Sequence, residues 1–152
     1  MFCDVKVSTM ANYYCTTRTN YFRVTNEERY QQLFKNLTSE DNISDWKEDI
    51  DGVTYHAFGT YGSIDYDTTE DETYHGEEEF DLDYFFDEMG KILPDDEAMI
   101  VFQSGHEKLR YVTGFAIVAT SKGHTMIDIE NAAILAARDM LGNPEFTTKC
   151  DY

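Results

Sequence analysis

The stretch MIVFQSGHEKLRYVTGFAIVATS, Met99 to Ser121, decides the fold. Met99–Gln103 and Leu109–Ser121 are rich in β-branched and aromatic residues, which pack well on a pleated surface, and they flank the turn-forming run Ser104-Gly105-His106-Glu107. The pattern predicts a β-hairpin. Its second strand is the most apolar segment of the chain (Val112, Phe115, Ile117, Val118) and is expected near the centre of a sheet.

Working outward, Tyr13 to Val24 alternates polar with apolar residues and reads as another strand. Thr25-Asn26-Glu27-Glu28 then has the form of a capping box, in which Thr25 accepts a helix N–H and Glu28 reaches back. The helix that follows places Tyr30, Leu33, Phe34 and Leu37 on one face. Short strands are expected at Ile43–Lys47, Val53–Thr60 and Ser63–Tyr66, with turns at Asp51-Gly52 and Tyr61-Gly62. A second helix is expected from Asp81 to Leu93, with Leu82, Phe85, Phe86, Met89 and Leu93 on its core side and Pro94 ending it. Beyond a short strand at Thr125–Ile127, a third helix is capped by Asp128, buries Ala133, Ile134, Ala137 and Leu141, and stops at Gly142. The order βαβββαββα predicts an α+β fold, helices packed on one face of a mainly antiparallel sheet.

Length and composition suit one domain spanning residues 1–152, with 1–10 as an N-terminal extension (Met10 a second candidate start), 67–79 as an acidic loop and 143–152 as a tail. No apolar run approaches the roughly 18 residues that a membrane span requires. Cys3, Cys15 and Cys150 are odd in number and lack metal-ligand spacing, so free thiols in a reducing cytoplasm are expected.

Enzyme signatures are missing. There is no phosphate-cradling glycine loop, Gly-x-Ser-x-Gly elbow or Cys-x-x-Cys, and His106-Glu107 is followed by Lys108-Leu109-Arg110 rather than a zinc-binding continuation. Asp65-Tyr66-Asp67-Thr68-Thr69-Glu70 opens like a calcium loop but carries Glu70 where the turn needs glycine. No catalytic residue, metal or cofactor is expected.

The charge distribution is the main functional signal. From Thr38 to Ala98 there are 21 Asp and Glu against Lys47 and Lys91, net −19; the rest holds nine acids and ten bases, net +1, which sums to −18. Acids cluster at Asp65, Asp67, Glu70, Asp71 and Glu72, recur at Glu77, Glu78 and Glu79, and continue along the second helix as Asp81, Asp83, Asp87 and Glu88, with Tyr84 among them. Carboxylates at a helical rise of about 1.5 Å approach the spacing of duplex phosphates, one charge per ~1.7 Å of axis. These residues are the candidate partner-binding set, and the partner chemistry they suit is strongly basic. The plain alternative is a solvated face with a mobile loop that keeps the protein in solution. Arg18, Arg23 and Arg110 lie on otherwise nearly uncharged strands, and one of them is expected to reach and organise the acidic helix or the loop before it.

At Thr16-Thr17-Arg18-Thr19-Asn20-Tyr21-Phe22-Arg23-Val24, and again at Lys108-Leu109-Arg110-Tyr111-Val112-Thr113-Gly114-Phe115, the chain resembles small proteins carried by phages and integrative elements of Gram-positive bacteria. In size and acidity it is similar to mobile-element inhibitors of host defence, the anti-CRISPR and anti-restriction proteins, several of which mimic DNA. The resemblance implies a non-catalytic inhibitor acting in a bacterial cytoplasm. Its expected partner is a basic nucleic-acid-binding protein, a CRISPR effector or restriction nuclease, with no direct binding to nucleic acid or membrane. The other reading is an assembly module whose acids serve only solubility.

Overall fold

The computed structural model describes residues 13–148. In chain order the elements are β1 (Tyr14–Thr19), α1 (Glu27–Lys35), β2 (Leu37–Thr38), β3 (Ser44–Ile50), β4 (Val53–Thr60), β5 (Asp65–Tyr66), α2 (Leu82–Ile92), β6 (Met99–Glu107), β7 (Tyr111–Thr120), β8 (Gly123–Asp128) and α3 (Ile129–Leu141). Six strands form an antiparallel sheet in the order β3-β4-β1-β6-β7-β8, and β2 pairs with β5 separately. The fold is α+β in the expected order, with β2 added and the short strand read at Thr125–Ile127 present as β8. The expected extension at 1–10 lies outside the described residues.

The deciding hairpin forms, but its turn lies further on. Ser104, Gly105 and His106 stay in β6, because each pairs with β1 on one side and β7 on the other, and the chain reverses at Lys108, whose φ is 52°. Nor is β7 central; it is next to last, and β1 and β6 hold the middle. Its apolar character has another cause. Phe115, Ile117 and Ala119 face α2 and the main core, while Gly114 and Ala116 on the opposite side lie under α3, so helices cover both faces of this strand.

Asp51-Gly52 (φ 52° and 80°) makes the two-residue β3–β4 turn, the left-handed conformation a type I′ hairpin requires. Tyr61-Gly62 does not make a hairpin: β5 leaves the main sheet to pair with β2. Past the end of β1, Asn20 N–H still donates to Ile100 O (3.1 Å), and the Asn20 side chain continues the pairing, donating to Ala98 O (3.0 Å) and accepting from Ile100 N (2.8 Å). The cap of α1 is Asn26, which accepts from Arg29 N at 3.0 Å, and not Thr25. Thr25 instead donates its N–H and its hydroxyl to Ile92 O, tying the start of α1 to the end of α2.

One core fills the space between the sheet and helices α1 and α2. Phe22, Leu33, Phe58, Tyr66, Phe85, Phe86, Met89, Met99, Val101 and Ala119 are its fully enclosed members. α3 departs from expectation. Its Asp128 cap and left-handed Gly142 stop are as read, yet none of its residues is buried. A Cβ on Gly114 would fall 2.8 Å from Ile129 Cδ1, so α3 lies on the face opposite α1 and α2 and covers only the β7–β8 end. Ile134 and Ala137 are half-buried there, whereas Ala133 and Leu141 are exposed.

Cys15 is disulfide-bonded, which corrects the expectation of a free thiol and removes the cysteine content as an argument for a reducing compartment. Cys3 and Cys150 lie outside the described residues. Among the described residues no helix is long and apolar enough to cross a membrane.

Candidate functional site: an anionic surface pinned by Arg29

Residues 67–79 have no helix or strand, as expected, but they are tied down. At the neck, Thr68 N donates to Glu79 O (3.0 Å) and its hydroxyl reaches Glu78 O (2.6 Å), beside an isolated bridge between Asp67 and Phe80. Within the segment Asp67 Oδ1 accepts from the N–H and hydroxyl of Thr69, and Asp71 Oδ1 accepts from the same two groups of Thr73. Each aspartate thus builds its own turn by replacing backbone partners with a short side chain.

The anchor is Arg29, on the first turn of α1. Its Nη2 lies 3.3 Å from Asp71 Oδ2 and 3.0 Å from Glu88 Oε1, with Thr73 Oγ1 and the Tyr84 hydroxyl at 3.0 and 3.2 Å. Asp71 Oδ2 also accepts from the Tyr66 hydroxyl at 2.6 Å, and the other oxygen of Glu88 pairs with Lys91. Two cations therefore face two carboxylates, and Tyr66, Tyr74, Tyr84 and Phe85 pack around them with ring centroids 4.8–5.7 Å apart. Burial works against ionising Asp71, but hydrogen bonds from Tyr66 and Thr73 and the Arg29 charge outweigh it and hold its pKa at about 2. Burial likewise opposes the Arg29 charge, and Glu88 and Asp71 overcome it, raising its pKa further. Burial, then the Asp71 contact, pushes the Tyr66 hydroxyl well above the ordinary tyrosine range. A carboxylate so depressed and so fully engaged by donors is a poor proton acceptor near neutral pH.

The thirteen expected partner-binding residues separate into three groups. Asp71 (8% exposed) and Glu88 (9%) are buried in the Arg29 cluster and do not face outward; Glu88 was expected on the solvent side of α2, and Arg29 holds it in. Asp65, Asp67, Asp81 and Tyr84 are half-buried and occupied locally. Asp65 accepts from Tyr66 N, Asp67 builds its turn, and Asp81 caps α2 through Tyr84 N while accepting from the Tyr74 hydroxyl. Glu70, Glu72, Glu77, Glu78, Glu79, Asp83 and Asp87 are exposed. The last two lie one helical turn apart on α2, each 3.3 Å from a ring nitrogen of His124 on β8.

The arginine expected to organise this region is none of the three strand residues. Arg18 stacks on Trp46 (4.4 Å), Arg110 on Tyr111 (5.1 Å), and Arg23 pairs with Asp96 and Glu97 beyond the end of α2. Arg29 leaves one trace in the sequence. It is a cation near a helix N-terminus, where the dipole disfavours it, and it has no acid three or four positions away on its own helix. Such a residue needs a tertiary partner.

A second acidic feature lies on another side of the same N-terminal end of α1. Asp45, Lys47 and Asp49 on the helix-side face of β3 meet Glu27, Glu28 and Gln31 across a groove of about 600 Å³. His56, at the side of this groove, bonds both oxygens of Glu27 at 2.8 and 2.9 Å. Among the described residues no cluster of His, Cys, Asp and Glu is placed to hold a metal ion. Comparison with protein-family models, curated proteins and solved structures found no match.

Proposed function

We propose that the protein is a non-catalytic inhibitor of a bacterial defence nuclease, a CRISPR effector or restriction enzyme, to which it presents a nucleic-acid-like anionic surface that occupies a basic groove. The observation that carries this reading is the Arg29 anchor. A mobile acidic loop would lose conformational entropy on binding, whereas a loop fixed at Asp71 and closed at Thr68 meets its partner with its charges already placed. The anchor also neutralises only the buried acids. Seven exposed carboxylates remain in a run from Glu70 to Asp87, the kind of array that a phosphate-binding groove accepts. Such a protein acts where its target resides, in the host cytoplasm.

The test uses four exposed positions and spares the buried ones. Glu77, Glu79, Asp83 and Asp87 changed together to Lys should abolish binding to the nuclease while leaving the circular dichroism spectrum unchanged. The wild-type complex should weaken steeply as salt rises, because exposed charges are screened over about 8 Å at physiological ionic strength, and duplex DNA should compete with it. Binding indifferent to both salt and reversal would assign the acids to solubility. The assembly-module reading would then take over, favoured by the exposed Tyr14, Phe102 and Val112 on the far side of the sheet.

A further inference from the structure

The side of the sheet away from α1 and α2 has a different character from the rest of the molecule. Strand register places Trp46 and Glu48 of β3, Tyr14 and Arg18 of β1, Phe102 of β6 and Val112 of β7 on this face. Among all the side chains that the six strands direct there, only Arg18 and Glu48 are charged, a sum of zero in a chain of net −18. Tyr14 is 64% exposed, Phe102 54% and Val112 59%. Among the described residues α3 is the helix that stands on this face, as a ridge over β7 and β8; beside it β3, β1 and β6 present exposed side chains, and Trp46 and Arg18 cover Ala57 and Gly59 of β4. At 100° per residue the crest of α3 consists of Ala132, Ala136 and the carboxylate of Asp139, with Leu135 and Met140 on its flanks, all exposed.

We propose that this face is a homodimer interface in which α3 of each copy seats on the open strands of the other. Ridge and hollow match in size. Thirteen helical residues and a six-residue strand both span about 20 Å, and four strands spaced ~4.8 Å apart accept a helix some 10 Å wide. Two reciprocal helix-on-strand contacts bury both the ridge and the hollow of each copy, as a standard stable interface of roughly 800 Å² per copy requires. A two-fold arrangement needs one self-complementary patch, and the ridge and hollow lie side by side on the same chain. Charge selects a second copy. Approach through the α1–α2 side would bring acid against acid, whereas contact through the neutral face directs both anionic surfaces outward. The dimer does not depend on what the acidic surface binds.

Sedimentation equilibrium at physiological salt tests the proposal. The wild-type protein should have twice the 17.6 kDa chain mass. Leu135→Asp on the ridge and Phe102→Asp in the hollow should each give monomers with an unchanged circular dichroism spectrum, since both side chains are exposed. Mixing the two variants should restore a weaker dimer, because the helix of one and the strands of the other remain intact. A wild-type monomer up to its solubility limit would overturn the proposal and assign the face to a different protein. Dimers that survive both substitutions, or a mixture that stays monomeric, would overturn the exchange of helices.

Discussion

The acidic segment 67–79 and helix α3 make an instructive pair. The segment has no periodicity and every sign of a solvated loop, yet Asp71 within it is buried and hydrogen-bonded to Tyr66, Thr73, Tyr84 and Arg29. α3 carries a capping aspartate, regular apolar spacing and a glycine stop, yet buries no residue. Local pattern reports what the backbone will do. Burial depends on which distant group is available to meet it, and here the poorly patterned segment finds its partner while the well patterned helix waits at the surface.

The sharpest way to break this contrast is Arg29→Met. It leaves Asp71 and Glu88 buried without their shared cation, a change that should cost about 3–5 kcal/mol in urea denaturation and expose amides of residues 68–79 to rapid exchange. A loss of less than about 1 kcal/mol would show that the segment is not held by this contact.

Next in size is a pH effect. The Asp71 pKa lies near 2 in the folded protein and at 3.8 without the fold, so its contribution is complete above pH 4 and disappears as pH falls through 2. The shift corresponds to roughly 2 kcal/mol. The stability difference between wild type and Asp71→Asn, followed from pH 7 downward, should shrink by about that amount across this window.

α3 predicts the opposite behaviour. Ile134→Ala removes a half-buried side chain and should cost about 1 kcal/mol, against about 3–5 for Phe85→Ala in α2, both measured by thermal unfolding. Equal costs would mean that α3 is as firmly packed as α2. Smallest is Lys91→Gln. The amine is largely exposed and Arg29 still serves Glu88, so the change should stay within about 0.5 kcal/mol.

Much of the architecture was legible in the residues. The hairpin at Met99–Ser121, the Asp51-Gly52 turn, the α2 stripe of Phe85, Phe86 and Met89, and the cap at Asp128 all rest on interactions within a few residues or on a simple period. The errors share a cause. Ser104–His106 reads as a turn by composition but is held in a strand by ladders on both sides. Thr25 reads as a cap but is drawn to Ile92 O, 67 positions away. The charge run is written in the residues, but that Asp71 and Glu88 turn inward depends on Arg29, 42 positions before the first and 59 before the second.

The composition therefore established an anionic α+β protein with its charge concentrated between Thr38 and Ala98, because charge and periodicity are properties of the chain itself. Only the tertiary structure decided that Asp71 and Glu88 turn inward, that β7 is covered on both faces, and that one side of the sheet receives no charged strand residue but Arg18 and Glu48. A buried carboxylate needs a cation and a covered face needs a helix, and in each case the partner arrives from far along the chain, where no local spacing records it.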